Sequence, residues 1–122
     1  MIARMTNLTV ADNSGAKLVR CIGIPGYSYK RYAYVGDIIT VTVKEALPSS
    51  NIKVGTIHRA VVIRTAKEFR RKDGSYVKFD DNACVLLQPT GEPVGTRVFG
   101  PVPKEVREKG FAKIASLASM IV

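Results

Sequence analysis

The chain has 122 residues, 46% of them hydrophobic, with 19 Lys and Arg against 10 Asp and Glu for a net charge of +9. That length allows one domain with a real core and not two, and the apolar share excludes a disordered or low-complexity tail. So basic a folded domain calls for a polyanionic partner, nucleic acid ahead of a membrane surface. No basic amphipathic stretch is evident, and no apolar run approaches the roughly 18 residues of a spanning helix, so no membrane partner is expected. The first fifteen residues lack the segments of a secretory signal, and export is not expected.

Residues 5–10 read as a first strand, and Asp12-Asn13-Ser14-Gly15 as a dense turn. Residues 17–24 follow as a second strand whose near-continuous apolar composition predicts burial on both faces. Residues 27–34 alternate aromatics with cations (Tyr27, Tyr29, Lys30, Arg31, Tyr32, Tyr34). Bases stack on rings while cations meet phosphate, so the pattern suits RNA, although tyrosines packed beneath a loop would give it equally. In residues 38–46, Ile39, Val41 and Val43 share one face while Thr40, Thr42 and Lys44 share the other, which is a strand buried on one side. Residues 48–51 make a polar loop.

The chain is organised around residues 60–87, AVVIRTAKEFRRKDGSYVKFDDNACVLL. Its apolar ends predict two core strands. Between them lie Lys67, Arg70, Arg71 and Lys72, then an Asp73-Gly74 pair that signals a tight primed hairpin turn. The expectation is a ribbon with a cationic tip, its alternative being a solvated surface loop. Residues 88–95 form a turn-rich connection. Helix is expected only in the tail, about residues 103–119, with Pro103 at the first helical position and Gly110 ending the first turn.

Catalytic constellations are scarce. The single histidine, His58, lies within a strand pattern, and Cys21 and Cys84 sit far apart in apolar runs, read as buried reduced thiols. No ligand spacing supports a metal site, turn formation accounts for Asp12, Asp37, Asp73, Asp80 and Asp81, and no phosphate-binding glycine motif is present. Neither an enzyme nor a cofactor is called for. Short strands spaced by turns, with helix only at the end, predict a mainly β fold: a small closed or nearly closed barrel over residues 1–122.

Five segments carry a resemblance: VADNSGAK (10–17), RYAYVGDIITVTVKEA (31–46), RAVVIRT (59–65), RRKDGSYVKFDDNACVLL (70–87) and GTRVFGPVPKEVR (95–107). Together they resemble the bacterial-type large-subunit ribosomal protein L-fourteen family over nearly the whole chain. The resemblance implies a five-stranded closed barrel with a projecting ribbon and a short helical C-terminus. It implies binding to large-subunit ribosomal RNA, a place on the face that meets the small subunit, and bridges to small-subunit rRNA. A neighbouring large-subunit protein and, in bacteria and organelles, a ribosome-silencing factor are the implied protein partners, with Thr96, Arg97 and Lys113 facing them. Departures from the family pattern at Tyr34, at residues 48–51 and in the terminal SLASMIV lean the expectation to an organellar, mitochondrial ribosome over the bacterial cytoplasm.

The mechanism expected is a folded wedge whose cations neutralise phosphates and release counterions. The candidate RNA contacts are Lys17, Lys30, Arg31, Arg64, Lys67, Arg70, Arg71, Lys72, Lys78, Lys104 and Arg107, with Arg97 also a cation of this set. Replacing Arg70, Arg71 and Lys72 together by Ala is expected to weaken RNA association while leaving the fold intact. The alternative function is a free-standing RNA-binding barrel such as an RNA chaperone. An RNA-processing enzyme would need a catalytic cluster that the sequence does not show.

Overall fold

A computed structural model describes residues 1–26 and 32–122. Strands β1 (Asn7–Val10), β2 (Ala16–Gly23), β3 (Ile38–Ala46), β4 (Ile57–Arg64) and β7 (Ala83–Leu87) form a closed barrel in the order β1-β2-β3-β4-β7. Neighbours are antiparallel except at the closure, where β1 runs parallel to β7 through Thr9 opposite Ala83 and Val10 opposite Cys84. Two minimal strands, β5 (Phe69–Arg70) and β6 (Tyr76–Val77), make a ribbon between β4 and β7. After the barrel come β8 (Val98–Val102), α1 (Lys104–Glu108), α2 (Ala112–Leu117) and β9 (Ala118–Ile121), with β9 parallel to β8.

The pattern of apolar residues explains this arrangement. In β3, Ile39, Val41 and Val43 point into the barrel and are fully buried, as their period of two requires. In β4 and β7 the runs are continuous because both faces are covered. Ala60, Val62, Cys84 and Leu86 fill the barrel. Their neighbours Val61, Ile63, Val85 and Leu87 pack outside it against Val98, Val102, Val106 and Ile114 of the C-terminal elements. A second core therefore lies between the barrel wall and the tail.

Four expectations change. The first strand starts at Asn7: Met5 adopts a left-handed φ of 72° that interrupts the regular strand, although its amide still donates to Cys21 O (2.7 Å). The second strand alternates instead of being buried on both faces: Val19 and Cys21 are inside, while Lys17 and Ile22 are exposed. The Asp73-Gly74 turn is a three-residue loop. Arg71 N–H donates to Ser75 O (2.8 Å), Gly74 N–H donates to Arg71 O (3.0 Å), and only Gly74 takes a positive φ, 91°. A primed two-residue turn would need that conformation at Asp73 as well. Finally, Pro103 caps α1 from an extended conformation, and residues 118–121 are strand, not helix.

Candidate nucleic-acid interface

The ribbon has two faces, and its alternation decides which cations are available. Phe69 and Val77, opposite one another, are half-buried, and Phe69 packs on the outer core. Arg71 points the same way. Its Nη2 donates to Glu105 Oε1 (3.2 Å) and to the main-chain oxygen of Val122 (2.6 Å), while Nε lies 3.1 Å from Glu105 Oε2, out of line for a hydrogen bond. Arg70, Lys72 and Lys78 are exposed.

Ribbon and helix α1 flank an open cleft of about 500 Å³ lined by Arg70, Arg71, Lys72, Asp73, Lys104, Glu105, Glu108 and Lys109. Five cations face three acids there, and two of the acids are already engaged. Glu105 holds Arg71, and Asp73 Oδ1 accepts from the Ser75 amide (2.9 Å) and hydroxyl (2.6 Å), which keep its carboxyl below the usual range. The cleft can therefore attract phosphate. Lys109, absent from the sequence-derived set, reaches Asp37 at 3.3 Å. Its four-residue spacing from Glu105 was the available signal.

The remaining candidates scatter. Arg64 is buried, and its guanidinium is spent inside the chain. Nε donates to Asp81 Oδ1 (3.1 Å), Nη1 to the carbonyls of Phe99 (2.8 Å) and Pro101 (3.1 Å), and Nη2 reaches Asp81 Oδ2 at 3.5 Å. Four of the five guanidinium N–H donors are thereby engaged inside the chain, leaving one on Nη2. Lys67 is exposed, 3.6 Å from Glu68. Lys17 is exposed beside a separate depression with Leu47 and Phe99, and Arg107 is exposed on α1. Lys30 and Arg31 lie outside the described residues, as do Tyr27 and Tyr29; Tyr32 and Tyr34 are exposed.

Thr96 and Arg97 are held by Asn13 of the VADNSG segment. Its Oδ1 accepts from both backbone amides (2.8 and 3.1 Å), and its Nδ2 donates to Thr96 Oγ1 (2.9 Å). Lys113 is exposed on α2, 3.5 Å from Glu92. Asp12 does more than form its turn: Oδ1 accepts from the Ser14 amide and hydroxyl, and Oδ2 accepts from the Leu86 amide (3.1 Å) across the barrel closure. Burial raises its carboxyl above the ordinary 3.8 despite these bonds.

Cys21 and Cys84 are buried free thiols that burial pushes upward, which suits packing and not nucleophilic chemistry. Among the described residues no group of three His, Cys, Asp or Glu side chains could hold a metal ion, and no helix is long and apolar enough to cross a membrane.

A barrel of this topology with a basic ribbon is matched by one family over its whole length: the family model for ribosomal protein L14p/L23e covers residues 1–122. The chain belongs to the ribosomal protein L14p/L23e family. It is 66% identical over 122 residues to the large ribosomal subunit protein uL14 of Aquifex aeolicus (strain VF5), and 66% identical to that of Aquifex pyrophilus. Identity to the uL14 of Hydrogenobaculum sp. (strain Y04AAS1) is 59%, and in all three cases both chains are covered completely.

These L14p/L23e relatives are bacterial and give no support to the mitochondrial expectation. Of the departures that prompted it, Tyr34, Pro48, Ser49, Asn51, Ser119 and Met120 are exposed, where substitution is cheap, whereas Leu117, Ala118 and Ile121 pack on the outer core.

Proposed function

We propose that the chain is a structural constituent of the bacterial large ribosomal subunit, in the cytoplasm, and that it holds large-subunit rRNA through the ribbon and the adjoining cleft. The observation that carries this reading is the cleft itself, where Arg70, Lys72, Lys104 and Lys109 line one concavity in a member of a ribosomal-protein family. Each phosphate neutralised releases a counterion, so affinity is built from several modest contacts and falls steeply with salt. No step of bond-making is involved. The barrel supplies stiffness, and Arg71 with Glu105 fixes the ribbon on α1.

Bridging to small-subunit rRNA and docking of a neighbouring large-subunit protein or a silencing factor at Thr96, Arg97 and Lys113 belong to the same proposal. Their support is the resemblance, together with the rigidity that Asn13 gives residues 96–97.

The test is binding of purified protein to bacterial large-subunit rRNA between about 50 and 200 mM salt, where six or more phosphate contacts predict a loss of about 10³-fold or more. Replacing Arg70 and Lys72 together by Ala should lower the salt slope by about two while leaving thermal stability unchanged. Equal affinity for unrelated single strands would favour a free-standing RNA chaperone. Absence of salt-dependent binding would overturn the proposal.

A further inference from the structure

We propose that the outward face of the ribbon is a stacking site for an unpaired RNA base, with Tyr76 as the platform and Arg70 beside it for the flanking phosphate. This rests on the rRNA-binding reading and specifies what one part of that surface recognises.

Arg70 and Tyr76 are register partners in the antiparallel pair, so their side chains stand next to each other on one face. The opposite face is committed, with Phe69 on the outer core and Arg71 bound to Glu105 and Val122. Tyr76 has no such task. It is 67% exposed, more than any other exposed large hydrophobic residue among those described, and its hydroxyl makes no hydrogen bond among the described residues. An aromatic ring left in water on a two-stranded support tied down through Arg71 is a preformed π-surface.

The surroundings select the ligand. Arg70 stands beside the ring, Lys72 and Lys78 are exposed within four positions of it along the chain, and Asp73 is occupied by Ser75. A partner with both a flat π-face and negative charge fits, and an unstacked nucleotide has both. A protein partner would bring acids to the cations but has no general need for the ring. A base pair inside a helix is excluded, because both its faces are already covered by its neighbours.

The chain contains no tryptophan, so Tyr76→Trp introduces a single fluorophore at the site. Titration of this variant with bacterial large-subunit rRNA should quench its emission. Tyr76→Ala should weaken binding about 10-fold, and Tyr76→Phe should restore wild-type affinity because the ring is kept. All three variants should keep the wild-type thermal midpoint, since the residue is exposed. If wild-type protein binds rRNA but Tyr76→Trp emission is unchanged and Tyr76→Ala binds like wild type, the stacking site is refuted and the rRNA-binding reading survives. If wild-type protein does not bind rRNA, both fall together.

Discussion

Arg64 and Asp81 face each other at the foot of the ribbon, Nε to Oδ1 at 3.1 Å, and the same guanidinium satisfies the carbonyls of Phe99 and Pro101 in β8. One side chain thus joins β4, the turn before β7 and the C-terminal elements. Arg64→Ala should destabilise the protein by about 2 kcal/mol, roughly 1 for each abandoned carbonyl. The ion pair adds little, because the Asp81 side chain is 42% exposed. Arg64→Lys should recover less than half, since a point ammonium cannot reproduce the fork. Urea unfolding checks both, and a neutral Arg64→Ala would show that β8 is held by its packing and main-chain pairing without these side-chain bonds.

Gly100 is coupled to the same group. Its φ is +78°, and an added Cβ would lie 2.6 Å from Arg64 Nη1. Gly100→Ala should cost about 1–2 kcal/mol for the left-handed backbone, with a further penalty for displacing the guanidinium. In an Arg64→Ala background only the backbone part should remain. Equal costs in the two backgrounds would mean the guanidinium yields freely.

Much of the barrel was legible because its strands carry their burial in composition: AVVI and ACVLL are continuous where two cores meet, and ITVTV alternates where one does. β8 and β9 were not. Gly100 and Pro101 interrupt β8, and β9 follows a helix directly, its pairing a parallel contact with a strand some twenty residues earlier that leaves no local period. For the interface, the sequence located the ribbon but could not rank its cations. Arg64, Arg70 and Arg71 are chemically identical, and only tertiary placement separates a buried strut, an exposed charge and a clamp. Glu105, Asn13 and Asp81 were passed over for the same reason: each acts through a partner at least 17 positions away.

Asp12 should make stability pH-dependent in an unusual direction. Burial raises its carboxyl above 3.8, so the folded state holds the proton to higher pH than the unfolded chain does. Its contribution is therefore complete below the unfolded value and is lost as pH rises through the folded one. The difference in unfolding free energy between wild type and Asp12→Asn should be larger below pH 3.8 than at about pH 7. Exposed Asp73 has the opposite sign: its lowered carboxyl favours the folded state above the unfolded value, and that is lost as pH falls. A pH-independent Asp12→Asn difference would rule out the raised carboxyl.

Arg71 and Glu105 set the last test, because they separate holding the ribbon from reading RNA. Their side chains are 17% and 22% exposed, so the pair is neither solvent-screened nor fully desolvated. Arg71→Ala and Glu105→Ala should each cost about 1–2 kcal/mol, with a coupling of about 1 kcal/mol in the double-mutant cycle. Replacing Arg70, Arg71 and Lys72 together would mix that loss with lost phosphate contacts and could not leave the fold untouched. Glu105→Ala discriminates further. It removes a negative charge from the cleft, which alone would strengthen attraction for phosphate, yet it frees the ribbon. If orientation dominates, Glu105→Ala should weaken rRNA binding and speed amide exchange at the ribbon. Tighter binding with unchanged exchange would show that the cleft acts through net charge and that the clamp has no part in recognition.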